Sequence, residues 1–557
     1  MRLRWILFAS ISLAACAVPV VAQSDAYRHC MEYPGLNLDF AIQECSAAIQ
    51  SGVLSEEQFA YALNTRGTLL DTKGDYHRAI QDFDQAIRLK PDYAQPFNNR
   101  GLSYAHQAEF DRAIQDYNEA IRLNPDNPGA FSNRGVAFSR KGEYDRAIQD
   151  FDQSLRLEPN HAATFSNRGV AYAGKRQYDR AIQDYDQAIR LNPNLGEAFD
   201  NRGHAYAGKQ QYDRAIQDYD QAIRLEPSVV EPIYSRGSAY VDKGEYDRAI
   251  QDYDQAIRLK PVYEAFCARG FVFYLKGEYD RAIESYDQGL RLKPDYAVGF
   301  YNRGLSYSSK RQYDRAIQDF DQAIRLKPDL GEAFYARGLA FYRKGEYDRA
   351  IQDYDQAIRL KTDYALALVD RGRARERKSE FDRALQDYDQ AIRLSPDLVG
   401  AFYRRGSARF NSGQFAAAQS DFAKALQLNP AYPYDVIWLY LAQARAGQDT
   451  TGELSKNAAQ IELTGWPGQI ISLYLGKMTP ESVLAAAKDA DPKKDREHDC
   501  ETYFYLGEHA LLAGKEEEAR RLFQQSVDTG VTNFDEYTAA QAELKRLAAA
   551  NTQYMKP

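Results

Sequence analysis

Apolar residues return along this chain on a helical beat. In the stretch 212–227, YDRAIQDYDQAIRLEP, Ala215, Ile216, Tyr219, Ala222 and Ile223 fall at i, i+1, i+4, i+7 and i+8, while Asp218, Asp220, Gln221 and Arg224 point elsewhere. That pattern predicts an amphipathic helix. Asp213 near its start and Arg224 in its last turn suit the helix dipole, and Pro227 follows as the stop. Upstream, Phe199, Gly203 and Tyr206 form a second apolar stripe, with residues 209–211 as the turn between. The unit is a helical hairpin. Gly203 and Ala215 are small, which predicts close backbone approach where the helices cross, with aromatic rings above and below.

Near copies of this hairpin follow one another. The glycine recurs as Gly67, Gly101, Gly135, Gly169, Gly203, Gly237, Gly270, Gly304, Gly338, Gly372 and Gly406, every 34 residues except one step of 33. A hairpin of this length, with Gly, Ala, aromatic, Ala and Pro at these offsets, resembles the tetratricopeptide repeat (TPR). The resemblance implies an all-α fold: a right-handed TPR superhelical solenoid of antiparallel helix hairpins with N- and C-terminal capping helices. Repeats bury one continuous core, so length counts hairpins here and not domains. The expected organisation is a signal segment at 1–22, a capping hairpin at 23–59, eleven repeat units over 60–432 and a divergent region at 433–557.

Departures from the pattern carry expectations of their own. One residue is missing in the turn after Pro261, which predicts a tighter junction. Thr362 replaces the usual Pro, and the next first helix carries Arg373, Arg375, Glu376 and Arg377 where its neighbours have small or apolar residues. This predicts a looser junction and a solvated basic face. An Arg precedes each glycine, and an Asp precedes each central aromatic except at Ser285. If first helices pack on the preceding hairpin's second helix, as they do in that family, Arg100 reaches Asp82 and the pairing repeats as a ladder. The competing reading has the Arg stems cover apolar surface with their heads in water.

At the start, MRLRWILFASISLAACAVPVVAQ places two Arg before an apolar run and then small residues, the layout of a secretory signal. Cleavage after Ala22 gives a soluble periplasmic protein; a lipobox at residues 13–16 makes Cys16 a candidate lipidation site and anchors the protein at the outer membrane. Lipid on Cys16 is the one membrane attachment the sequence offers. Residues 38–49, LDFAIQECSAAI, match a second helix with Ala41 and Ala48 at the packing positions and Cys45 in place of the aromatic. Cys30 lies where the partner helix runs, and in an exported protein this predicts a Cys30–Cys45 disulfide. Cys267 and Cys500 have no evident partner and are read as buried small residues.

Beyond Pro430 the pattern changes. Residues 435–447 supply a first helix without a recognisable second one. A turn at 466–468, an apolar segment at 470–475 and a charged loop at 489–499 precede a restored hairpin with Gly507, Gly514, Ala519 and Phe523 in place. A closing helix spans 534–547. WLYLA at 438–442, FYLG at 504–507 and NFDEYTAAQAEL at 533–544 resemble the C-terminal part of the NlpI family of bacterial repeat lipoproteins. The resemblance implies an outer-membrane adaptor that brings cell-wall hydrolases to a protease.

Composition narrows the partner. Net charge is −8, and Arg alternates with Asp inside each repeat, so no single-sign stripe points to nucleic acid. The seven His are scattered without an HExxH spacing, and no GxSxG or phosphate loop occurs. No catalytic, cofactor or metal residues are assigned. What remains is binding of a protein or peptide on the concave first-helix surface that the family resemblance implies. Three residues before each Gly the chain reads Asn64, Asn98, Ser132, Ser166 and Asp200, then Tyr234, Cys267, Tyr301, Tyr335, Val369 and Tyr403. Phe271, Tyr274, Tyr342 and Phe410 extend the aromatic half. The candidate partner-binding residues are thus Tyr234, Phe271, Tyr274, Tyr301, Tyr335, Tyr342, Tyr403 and Phe410. Internal packing of the same rings is the alternative. The reading is an exported, non-catalytic scaffold or adaptor in the bacterial envelope. Its alternatives are a structural outer-membrane lipoprotein and a regulator that recruits a protease to cell-wall hydrolases.

Overall fold

Every element of the computed structural model is a helix, and no strand occurs among the described residues, 25–32, 37–448, 450–532 and 534–554. The signal segment and Cys16 lie outside them. The chain divides into two units, Met1–Lys276 and Gly277–Pro557.

The first unit opens with the helices Asp25–Glu32 and Leu38–Gln50, joined by the predicted Cys30–Cys45 disulfide. Ala41, Cys45 and Ala48 are fully buried, as their repeat-like positions require. Six hairpins follow: Glu56–Lys73 with Tyr76–Leu89, Ala94–His106 with Phe110–Leu123, Pro128–Arg140 with Tyr144–Leu157, Ala162–Gly174 with Tyr178–Leu191, Gly196–Gly208 with Tyr212–Leu225, and Val230–Asp242 with Tyr246–Leu259. The helix Tyr263–Leu275 ends the unit.

One contact explains the hairpin. At Gly203 an added Cβ would stand 2.6 Å from a ring carbon of Tyr219, so only glycine lets that ring pack flat on the helix backbone. Tyr219 is 1% exposed, and burying such a ring contributes roughly 2–3 kcal/mol. The turn between the two helices needs one residue in the left-handed region. Gly244 supplies it in one hairpin, whereas Gln210 adopts φ 60° in another, a strain that the flanking helices hold in place. Successive first helices touch one another from Glu56–Lys73 to Val230–Asp242.

The second unit begins with the helix Tyr279–Leu292. Four hairpins follow: Ala297–Ser309 with Tyr313–Leu326, Gly331–Arg343 with Tyr347–Leu360, Ala365–Arg377 with Phe381–Leu394, and Val399–Asn411 with Phe415–Leu428. The junction at Thr362 is not looser: the helix Ala365–Arg377 packs on Tyr347–Leu360 as its neighbours do. After Pro433–Arg445 three short helices, Thr451–Asn457, Gly468–Tyr474 and Pro480–Ala486, stand where one second helix was expected. Their core is Trp438, fully buried between Phe422 and Phe504 with centroids at 5.8 and 5.4 Å.

The predicted charged loop at 489–499 is a helix for most of its length. Pro492 sits in the first turn of Pro492–Leu512, and Asp491 caps it by accepting from the Lys493 amide at 2.9 Å, so the charged residues become one helical face. The closing helix runs Asp535–Tyr554, longer than expected, and packs against both Pro492–Leu512 and Val399–Asn411.

Candidate partner-binding surfaces

A ladder of guanidinium groups underlies the repeat surface, and its rungs differ from the expected ones. Arg100 does not reach Asp82. Its Nε and Nη2 donate to Asp116 of its own hairpin at 2.8 and 2.6 Å, while Nη1 donates to Asp84 of the preceding hairpin at 2.5 Å. Asp82 is taken by Arg66 in the same manner. The antiparallel return of the chain brings the residue 16 positions on beside the Arg; the aspartate that follows the preceding hairpin's aromatic closes the other side. The pattern holds at Arg168, Arg202 and Arg236 in the first unit. In the second unit it holds at Arg303, Arg337, Arg371 and Arg405. Across the shortened link Arg269 still reaches Asp254, at 2.6 Å and a spacing of 15. The solvent-headed alternative for these Arg fails: Arg100 is 19% exposed and Asp116 8%. A second, exposed ladder went unread in the sequence, in which Lys243 meets Asp213 and Lys344 meets Asp314, each at 2.7 Å.

The polar positions assigned to the groove are not surface. Asn98 and Ser132 are each 1% exposed, and Asn98 accepts from Asn133 of the next hairpin at 3.1 Å. Ser166 and Asp200 are buried as well. Asn98 and Ser132 join first helices to one another, Ser132 Oγ lying 3.3 Å from Thr164 Oγ1 of the next hairpin. The aromatic positions divide. In the first unit Tyr234 is half-buried with its ring 5.3 Å from Tyr253, Tyr274 is half-buried, and Phe271 is 41% exposed beside Leu275 at 40%. Cys267 is buried, and burial pushes its thiol up to about 12.

In the second unit Tyr301 packs 6.0 Å from Phe320. Tyr335 donates its hydroxyl to Asp370 of the next hairpin at 2.7 Å and lies 4.9 Å from Tyr364. Arg373 covers the Tyr342 ring at 5.1 Å. Tyr403 packs on Phe422, and Phe410 is fully buried against Phe415 and Trp438, so that ring presents no face to a partner.

The basic cluster at 373–377 is not a solvated face either. The closing helix covers it: Arg404 pairs with Asp535 at 2.5 Å, and Arg377 donates to the Thr532 carbonyl at 2.5 Å. Between them lies a cavity of about 420 Å³ lined in part by Tyr342, Arg373, Glu376 and Arg377. Burial pushes the Glu376 carboxyl up to about 7, against the pull of Arg404. Nothing in the periodicity pointed to this site, because it depends on residues more than 130 positions apart meeting. Among the described residues no group of three or more His, Cys, Asp or Glu could hold a metal, and no helix is long and apolar enough to cross a membrane.

Comparison with known proteins agrees with the repeat reading. Models described as tetratricopeptide repeat match residues 128–161 and 162–195, and residues 301–365, 354–399 and 369–436. A model described as TPR repeat matches 72–108, 106–142, 203–241, 237–277 and 270–310. The lipoprotein NlpI homolog of Haemophilus influenzae is 32% identical over 124 residues, 22% of this chain. The chain spans 40% of the length of that relative. Among solved structures, a tetratricopeptide repeat protein from Parabacteroides merdae is 21% identical, with 44% of this chain and 98% of that one covered at a TM-score of 0.38. Yeast Tom70 is 15% identical, with 73% and 99% covered at 0.37.

Proposed function

The chain belongs to the tetratricopeptide repeat family, and from that membership we propose that it is a non-catalytic scaffold binding a protein or peptide partner in the bacterial cell envelope. The observation that carries the reading is the first-helix face around Tyr263–Leu275. There Phe271 and Leu275 stand exposed one helical turn apart, with the half-buried Tyr274 on the same helix and the half-buried Tyr234 on the first helix before it. Large rings with a polar tip bury area on a partner at little rotamer cost. In the second unit Tyr301, Tyr335, Tyr342 and Tyr403 are half-buried and remain candidates, whereas Phe410 is fully buried.

Export is supported by the signal-like start and by the Cys30–Cys45 disulfide, a bond that persists in oxidising compartments. The periplasm is the location proposed. Similarity to the NlpI homolog, a lipoprotein, favours a second reading in which lipid on Cys16 anchors the protein at the outer membrane, and intact-mass analysis of the exported protein decides between them.

The functional test is capture from cross-linked envelope extract by the wild type and by a variant with Tyr234, Phe271 and Tyr274 changed to Ala. Anchors of this kind cost about 2 kcal/mol each when truncated, so the variant loses its partner while keeping its helicity. Unchanged capture by a folded variant rules out this face as the binding surface.

A further inference from the structure

The cavity in the second unit lies between the first helices Ala365–Arg377 and Val399–Asn411 and the closing helix Asp535–Tyr554, and its wall carries more donors than its acids take up. Arg373 gives Nη1 to Asp370 at 2.9 Å and Arg404 gives Nη1 to Asp535 at 2.5 Å, which leaves Nε and Nη2 of each without an acceptor among the described residues. Arg377 has no acid partner among them. It donates Nε to Tyr342 Oη and Nη1 to the Thr532 carbonyl and Thr538 Oγ1, and its Nη2 meets no acceptor. Lys545, on the closing helix, makes no ion pair among the described residues. The acids on the wall are Asp535, held by Arg404, and Glu376, whose carboxyl burial pushes up to about 7 and which Tyr388 hydrogen-bonds. One acceptor is unmet as well: Asn411 Oδ1 is buried without a donor among the described residues.

Guanidinium and ammonium donors left open around one cavity call for an anion with several acceptor oxygens. A carboxylate brings a single charge and two oxygens, too few for the heads of Arg373, Arg377, Arg404 and Lys545. A phosphate monoester brings nearly two negative charges at neutral pH and three peripheral oxygens, which suit both the fork of an Arg and the point charge of a Lys. Bare phosphate leaves Asn411 unmet and much of the cavity empty. At about 420 Å³ the space is at the small end for ligand sites, and it has room for an ester whose body carries a hydroxyl to donate to Asn411.

We propose that this cavity binds a small hydroxylated phosphate monoester, its phosphoryl oxygens accepting from Arg373, Arg377, Arg404 and Lys545 and a hydroxyl donating to Asn411. The site goes beyond the scaffold reading. Tyr234, Phe271 and Tyr274 do not line it, so neither test depends on the other. A free ester and the headgroup of a phosphorylated lipid offer the same chemistry.

The experiment titrates the full chain in a calorimeter with glycerol 3-phosphate, and with glycerate as a carboxylate on the same carbon skeleton. The phosphate ester should bind at a single site, and glycerate more than about tenfold more weakly. Lys545→Met, an exposed side chain whose loss leaves the helicity intact by circular dichroism, should weaken the ester about tenfold, the worth of one charge-assisted hydrogen bond. Glu376→Gln takes a carboxyl off the wall and should tighten binding by up to about fivefold, a gain that a purely structural role would not produce. Vesicles of phosphatidylcholine with and without phosphatidic acid distinguish the sources. Binding of glycerol 3-phosphate assigns the site to free esters; capture only by the vesicles with phosphatidic acid, lost in Lys545→Met, assigns it to a lipid headgroup. Binding of neither form, equal affinity for glycerate, or indifference to both substitutions overturns the proposal.

Discussion

Arg202 joins two hairpins with one planar group. Nε and Nη2 take both oxygens of Asp218 at 2.8 and 2.6 Å, and Nη1 takes Asp186 at 2.6 Å. Lysine could not do this, having a single point charge in place of a fork of donors. The two carboxylates differ in environment: the Asp218 side chain is 8% exposed and that of Asp186 44%. Asp218→Asn leaves a largely buried guanidinium without its bidentate partner and should destabilise its hairpin by about 3 kcal/mol. Asp186→Asn breaks a solvent-screened pair and should cost less than about 1 kcal/mol. Urea unfolding of the two variants checks the difference, and equal costs would mean the fork is not what holds the register. The recurrent Arg was legible in the sequence, and so was the existence of a ladder. Its rungs were not, because each Arg has several aspartates within one hairpin's reach, and only the antiparallel fold-back selects the one 16 residues on.

At the scale of the element, the helix Pro433–Arg445 pays for its place in the core with Asp435. That side chain is fully buried, both its oxygens are without a hydrogen-bond partner among the described residues, and burial pushes its pKa up to about 7. Glu508, beside Glu543, moves up to about 7, and Glu536, beside Glu501 and Asp535, up to about 8, burial being the larger cause in each. A carboxyl whose pKa is raised by folding keeps its proton longer in the native state. Its stabilising contribution is complete below the unfolded value near 4 and is lost as pH rises through the folded value. Asp535 runs the other way: burial alone would raise it, but Arg404 holds it low, so its contribution fails only in acid. The C-terminal elements should therefore melt at a lower temperature at about pH 8 than at about pH 5. Asp435→Asn should narrow that gap without closing it, since Glu508 and Glu536 remain. Calorimetry at the two pH values reads the gap directly; a variant with the wild-type gap would mean Asp435 does not hold its proton. Sequence periodicity placed this helix correctly, because Trp438 and its neighbours follow the 3.6-residue beat. It could not place the polar exception, which reads like any other acidic residue in a first turn.

For the whole molecule, repeat arrays carry stability between neighbours, so damage at one point stays near it. The closing helix is an exception to that rule within the second unit. Asp535 pairs with Arg404, 131 residues earlier, and Arg546 donates to the carbonyls of Phe410 and Asn411 at 3.3 and 3.1 Å. The amphipathic pattern at 534–547 revealed a helix and a cap but gave no hint of where it docks, because docking rests on pairings between distant segments that no local period encodes. The same gap led the sequence to read Arg373 and Arg377 as solvated. Deleting residues 531–557 strips Arg404 of Asp535 and uncovers the helices Ala365–Arg377 and Val399–Asn411. Amide hydrogen exchange should then lose protection across 365–428, well before the truncated end. Nearest-neighbour coupling predicts that 94–225, in the first unit, keeps the protection of the intact chain. Loss confined to residues beyond 433 would show that the closing helix only covers its own module. Loss reaching 94–225 would show that stability in this chain is shared over a longer range than stacked hairpins allow.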